Sequence, residues 1–368
     1  MTRKICMAAT MVLAMTECHA QTEVNAYGLA SAVLESVRSS TVSRTARFVS
    51  NSSLLGFQGT EDLGSGNKAF FQIEGGFDVD NGSGRINNRD SYVGLQGDFG
   101  RVKLGFMTSP MRGMGSRMNF VPGSTSIANN IGIMATMNGQ ATGLNSRMQN
   151  SIRYDTPSMN GLAGALIWAP GENRPEGQNN YAYGAGLSYV NGPLYAGYAY
   201  ESRNAQRVLA RGESEDFGHR VAARYTLGTT TFGVAWDRME SRGEFGTGAA
   251  AGAGSIARKS WSVSAKHTAG VHDFIIHYAT AGDMRCNGAA TAEQCAAANS
   301  PFTGARQLSL LYQYILSKRT MLQAYYSRIN NEAAARYDFD GDPVVSSRAA
   351  RVPGSDTRGG GFGIRHEF

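Results

Sequence analysis

Beyond its first twenty residues the chain lacks any run of 18 apolar residues, which excludes a membrane-spanning helix. It is poor in charge (17%) and in proline (nine in 368 residues). Cysteine is scarce as well. Of four, Cys6 and Cys18 fall in the first twenty residues, and only Cys286 and Cys295 remain, nine apart in an Ala/Asn-rich loop. In an exported chain that pair reads as one disulfide, with a free thiol pair as the alternative. With no His nearby, no metal site is expected there. His219, His267, His272, His277 and His366 join no Ser/Asp motif, so the constellation of a rim hydrolase is missing and an enzyme is not expected. The most local absence is of acid. Residues 99–154 hold no Asp or Glu, yet carry Arg101, Lys103, Arg112, Arg117, Arg147 and Arg153.

What is present begins with an export device. Arg3 and Lys4 precede the apolar stretch 5–15, and Cys18-His19-Ala20 offers a small-residue cleavage site before Gln21. Residues 1–20 therefore read as a signal peptide rather than a buried element. Glu17 before Cys18 argues against lipidation. Removing the signal takes Lys+Arg from 35 to 33 and Asp+Glu from 29 to 28, leaving +5 on residues 21–368.

Those residues hold 46 glycines overall with abundant Tyr and Phe, a composition of strands and tight turns. Sixteen alternating segments start near Val24, Ser53, Lys68, Arg89, Arg101, Gln149, Gly161, Asn180, Pro193, Asp216, Thr229, Arg258, Val271, Arg306, Arg319 and Gly359. In one, Leu308, Leu310, Tyr312 and Tyr314 alternate with Gln307, Ser309 and Gln313. In another, Phe232, Val234 and Trp236 alternate with Gly233, Ala235 and Asp237. One face suits lipid and the other a wet interior. Tyr189, Tyr200, Tyr225, Trp168 and Trp236 stand where interfacial girdles are expected. Short links, such as 98–100, 191–193 and 268–271, alternate with long ones at 38–51, 201–215, 240–257, 283–303 and 330–358. That sorting predicts an all-β, 16-stranded antiparallel transmembrane β-barrel with short periplasmic turns and long external loops. Sixteen strands enclose an aqueous hole, whereas eight are filled by side chains.

The stretch 108–149 breaks the pattern. It is long, shows no period-2 alternation, and reads as a third loop folded into the lumen to form a constriction. Arg112, Arg117 and Arg147 on it, with Lys103 and Arg153 on the flanking strands, are the expected selectivity residues. Arg147, Gln149, Ser151 and Arg153 share parity and should all face the lumen. No carboxylate of the loop neutralises this set. Met107, Met111, Met114, Met118, Met134 and Met137 are expected to pack the loop against the wall as adaptable filler. Asp338, Asp340 and Asp342 resemble half a calcium loop but lack the downstream Glu, so a solvated external loop is expected. Gly359, Gly360 and Gly361 ease entry to the last strand.

Five stretches resemble the trimeric general porins of Gram-negative bacteria, in the branch common among β-proteobacteria. They are SSLLGFQGTEDLGSGNKAFFQIE at 52–74, RDSYVGLQGDFGRVKLG at 89–105, NSIRYDTP at 150–157, YILSKRT at 314–320 and GFGIRHEF at 361–368. The resemblance implies a homotrimeric, water-filled outer-membrane channel for ions and small hydrophilic solutes, and the basic, acid-free constriction adds a preference for anions. A substrate-specific channel, or an adhesin acting through the external loops, is the alternative. It further implies contact with outer-membrane lipids and lipopolysaccharide, and Phe368 as the terminal signal read by the barrel-insertion machinery. No cofactor and no nucleic-acid partner is implied. Where the family tends to carry lumen cations this chain has Leu54, Gln58 and Phe106, which points to a weak preference.

Overall fold

The computed structural model describes residues 22–171, 180–204, 211–245, 252–288 and 302–368. The 1–20 signal and Cys295 lie outside them. Sixteen strands follow one another round a single sheet, each antiparallel to the next. They are β1 (Thr22–Ser39), β2 (Thr45–Ser50 with Leu54–Gly64), β3 (Asn67–Phe77) and β4 (Ser91–Gly97). Next come β5 (Gly100–Thr108), β6 (Arg147–Asp155), β7 (Leu162–Ala169) and β8 (Ala182–Asn191). The second half opens with β9 (Leu194–Asn204), β10 (Arg211–Leu227), β11 (Thr230–Phe245) and β12 (Gly252–Ala269). It ends with β13 (His272–Ala281), β14 (Ala305–Ile315), β15 (Thr320–Asn331) and β16 (Thr357–Glu367). β16 pairs back onto β1 from Leu29↔Glu367 to Ser39↔Thr357, which closes the barrel. The seam continues into Phe368, whose N–H and C=O both bond Gly28.

The wall is inside out relative to a water-soluble core. On β14 the apolar Leu308, Leu310 and Tyr312 are exposed, while Gln307, Ser309 and Gln313 are at most 3% exposed. Phe232, Val234 and Trp236 face outward in the same way against Asp237, which is buried. Closure leaves no unpaired edge for lipid to meet.

Strands β10 to β12 reach further than the alternation of apolar residues indicated. They run through most of 211–217 and 240–257, because beyond the apolar band the outward positions become Arg238, Glu240 and Arg242. Water on both sides there removes the apolar signal but not the strand. β2 is interrupted at residues 51–53, where Ser52 adopts a left-handed backbone with φ 58°, and the break makes room for the lumen loop described next.

Candidate functional site

The link between β5 and β6 enters the barrel. Ser109 caps its helix α1 (Pro110–Met118) by accepting the Arg112 N–H. The helix lies on a track of inward-facing glycines. A Cβ at Gly186 would come within 2.9 Å of Pro110, one at Gly197 within 2.6 Å of Met114, and one at Gly218 within 3.1 Å of Met111. A bare wall is what lets a helix approach β8 to β10 so closely. Met107, Met111, Met114, Met118, Met134 and Met137 are all buried, filling the seam between loop and wall.

Polar wall residues then fasten each segment of the loop. The buried Glu201 carboxylate accepts from Ser109 Oγ at 2.6 Å and from Asn145 N–H at 3.2 Å, so it ties the loop's entry to its exit. Arg220 donates to the Met111 carbonyl (2.7 Å) and to Asn145 Oδ1 (2.5 Å), and is itself paired with Asp237. Ser264 Oγ donates to the Met118 carbonyl, and Gln307 to those of Ile127 and Asn129. Arg258 donates to the carbonyls of Ile133 and Met134 in helix α2 (Ile131–Met134). A charged side chain satisfying a buried carbonyl contributes about 1.5–3 kcal/mol, so this ladder holds the loop in one place.

The last long link, 332–356, also turns inward, and it overturns the expectation of a solvated loop. Asp338 is 4% exposed. It accepts the N–H groups of Phe339, Val344 and Val345 and faces Arg351 at 3.6 Å. Its lone pairs are spent on backbone donors, and the described residues contain no His/Cys/Asp/Glu group fit for a metal. Asn138 of the lumen loop donates its N–H to the Tyr337 hydroxyl oxygen, and its side-chain oxygen accepts the Arg336 N–H. Burial pushes the Asp338 and Asp340 carboxyls up, against the pull of Arg351 on the first and Arg112 on the second. Burial, with Glu35, Asp78 and Asp80 nearby, raises Asp342 to about 6.

Between the loop and the opposite wall lies a cavity of about 320 Å³, lined by Arg89, Arg112, Arg147, Arg220 and Arg365 together with Ser, Thr, Asn and apolar residues. Among the described residues no carboxylate lines it. Arg89 and Arg365 were not anticipated. Arg365 sits in the last strand, where an arginine out of phase with apolar Ile364 and Phe362 marks an inward position, whereas Arg89 lies in a bend two residues before β4, where no alternation marks it.

The five expected cations separate into two kinds. Arg112 donates to the Asn145 carbonyl and has no ion pair among the described residues. Arg117, exposed, lies over the Tyr195 ring at 5.3 Å. Arg147, in contrast, is bound to Asp90 at 2.5 Å. Lys103 and Arg153 share Asp155, each at 2.7 Å. The expectation of an un-neutralised set is therefore corrected: Asp155 directly follows the acid-free stretch, and Asp90 lies nine residues before it. Shared parity fails too. Asn150 is left-handed and a bulge separates Met148 from Ser151, so buried Met148, not exposed Gln149, continues the inner face. Phe106 pairs with Ser91, out of phase with Lys103 and Met107, so its substitution removes no inward cation. Leu54 does line the cavity.

Tyr27, Tyr195 and Tyr325 all face inward; Tyr27 donates to Glu74 and Tyr325 to Glu35, which makes those two wall fastenings. Cys286 is disulfide-bonded.

A model of the Gram-negative porin family matches residues 8–364. The chain is 32% identical over 197 residues to the major outer membrane protein P.IB of Neisseria gonorrhoeae. That match takes in 51% of this chain and 54% of the relative, so the chain spans about half the length of that curated relative. Among solved structures, the anion-selective porin from Comamonas acidovorans superposes with a TM-score of 0.77 at 24% identity, over 95% of this chain and 100% of that one. OmpT of Vibrio cholerae, in its trimer form, superposes with a TM-score of 0.65 at 14% identity, over 94% and 99%. These two likenesses concern the fold. With nearly its whole length matched by the family model and its strands closed into an inverted sixteen-stranded wall, the chain belongs to the Gram-negative porin family and lies in the outer membrane.

Proposed function

We propose that the chain forms a water-filled channel for passive diffusion of ions and small hydrophilic solutes, weakly anion-preferring and homotrimeric. The observation that carries this reading is the central cavity, bordered among the described residues by five arginines and no carboxylate. A pore selects by the charge and width of its narrow region. Charges further than about 8 Å from the path are screened at physiological salt, so Arg112 and Arg117 weigh more than Lys103 and Arg153, which Asp155 offsets. The weakness follows from those pairings and from Leu54 on the lining. The trimer rests on the family and on the trimer form of the OmpT neighbour. Residues 1–20 serve export, Phe368 serves insertion, and Cys286 and Cys295 close one external loop in this reading.

Planar-bilayer recording of the purified chain tests it. Stepwise conductance, with a reversal potential of anionic sign under a KCl gradient, is expected. Absence of conductance would remove the channel reading, and a cationic sign would remove the charge argument alone.

A further inference from the structure

Where the lumen loop rejoins the wall, the sheet comes apart. β6 and β7 are paired only from Asp155↔Ala165 to Ile152↔Trp168. Continued two residues toward the long-link rim, the same register would set Asn150 opposite Pro170. Proline has no N–H to give to a ladder, and Asn150 is left-handed with φ 53°, so the pairing stops there. On either side the sheet continues, with β5 and β6 paired to Thr108↔Arg147 and β7 and β8 to Ala169↔Ala182. A cavity of about 350 Å³ occupies the split. Its lining draws on both faces of the wall. Phe106, the exposed Gln149 and Tyr181, which stacks on the outward Tyr183, belong to the outer face. Met148 and Arg203 belong to the inner face, where Arg203 pairs with Glu201 and donates to Ser146 Oγ at the loop's exit. A pit in a sheet is lined from one face alone, whereas a space lined from both is an opening. Arg147 lines this cavity and the central one alike, so the two adjoin across its side chain.

We propose that the split between β6 and β7 is a lateral entrance through which small inorganic anions reach the constriction, past Arg203 and Arg147, without crossing the outer mouth. The height suits this. Trp168, outward and 49% exposed, stands at the lower edge of the split, and such a residue marks the bilayer interface, so the opening lies on its aqueous side. The lining suits it as well. Two guanidiniums and the amides of Gln149 and Asn150 offer donors to an anion and no surface for an acyl chain. Among the described residues no carboxylate lines the opening, because Asp90 and Glu201, which pair with the two arginines, stay off it. At about 30 Å³ per water the space holds roughly ten waters, enough for a small anion with part of its hydration shell. The inference rests on the channel reading and adds a second route to it.

The variant Gln149→Cys puts a thiol on the outer lip. Single channels are recorded in planar bilayers at about 1 M KCl, before and after labelling with methanethiosulfonates that carry a bulky neutral group, a sulfonate or a quaternary ammonium. At that salt a charge acts over only about 3 Å, so a label at 149 acts on ions that pass beside it. Cys286 is disulfide-bonded, and the wild type treated alongside serves as its control. The bulky label should lower conductance by roughly a fifth. The sulfonate should lower the anion-to-cation permeability ratio, and the ammonium should raise it. The same labels on Lys259→Cys, exposed on the outer face of β12, should change nothing. Mass spectrometry gives the extent of labelling. Full labelling at 149 with conductance and permeability ratio unchanged overturns the proposal, and so does an equal response at 259. Refusal of the label at 149 under conditions that label 259 overturns it too, since the outer lip would then be covered. A chain that fails to conduct before labelling would fault the channel reading itself, whereas a conducting chain indifferent to the label faults the entrance alone.

Discussion

Two sides of the lumen use arginine in opposite ways. Along the docked side, β10 to β12, Arg220 and Arg258 are each 2% exposed and spend their donors on loop carbonyls. Across the cavity, Arg89, Arg112 and Arg147 keep part of their guanidinium surface toward the open space. Arg89 and Arg147 are tethered by Glu74 and Asp90, whereas Arg112 has only a carbonyl. The residue type is the same. What differs is whether a loop covers the side chain, and therefore whether the charge is structural or available to a passing ion.

Breaking the docked side should have the largest consequence. Arg220→Ala leaves Asp237 buried without its partner and frees two loop acceptors, so unfolding in denaturant should shift by about 3–5 kcal/mol. Open-channel noise should rise as the loop loosens. Arg112→Ala, on the open side, should change stability far less while lowering anion preference. Equal destabilisation by the two would erase the distinction.

The glycine track offers a milder break. Gly186→Leu drives a side chain against Pro110, whose Cβ stands 2.9 Å from where a new Cβ would sit, and should cost about 1–3 kcal/mol by overpacking. Conductance should change through displacement of α1, with the barrel's β-sheet signal in circular dichroism kept. A channel indifferent to this variant would mean the helix does not lie where the glycines put it.

Asp90→Asn sharpens the comparison on the open side. It removes the charge that pairs with Arg147 while leaving an oxygen that can still accept from Thr108 at the loop's entry, and the anion-to-cation permeability ratio should rise by about twofold at low salt, less at high salt. A fall would show that Asp90 holds Arg147 where it is effective.

The smallest effect is expected from pH. Asp342 has its pKa raised to about 6 against an ordinary 3.8, and Asp338 and Asp340 are raised as well. A carboxyl that holds its proton better in the folded loop favours that fold fully below its unfolded pKa, and the contribution is lost as pH rises through about 6. Acidification through 6 should therefore tighten the inward packing of 332–356. It should also add net positive charge at the mouth, with anion preference rising as pH falls. A preference that weakens on acidification would contradict the assignment.

Much of the fold was legible because lipid outside and water inside impose a period of two on every wall strand, and the turn-rich links between them are sorted by length. The entry of 108–149 into the barrel was legible from its lack of that period. The pairing of its arginines was not. Asp90 and Asp155 lie one residue before β4 and at the end of β6, and only the register that brings β4, β5 and β6 side by side reveals which cation each meets. The bulge at Asn150 was hidden for a related reason. A single left-handed residue shifts parity without any apolar mark. Burial of Asp338 depended on a contact with loop residues about 200 positions away, which no local pattern encodes.

The most direct measurement is the reversal potential, under a KCl gradient, of the variant Arg112→Glu/Arg117→Glu/Arg147→Glu beside the wild type. If cations on the docked loop and its exit strand set the sign of selectivity, the wild type reverses on the anion side and the variant on the cation side. An unchanged potential in a conducting variant would place the selecting charges elsewhere and contradict the account.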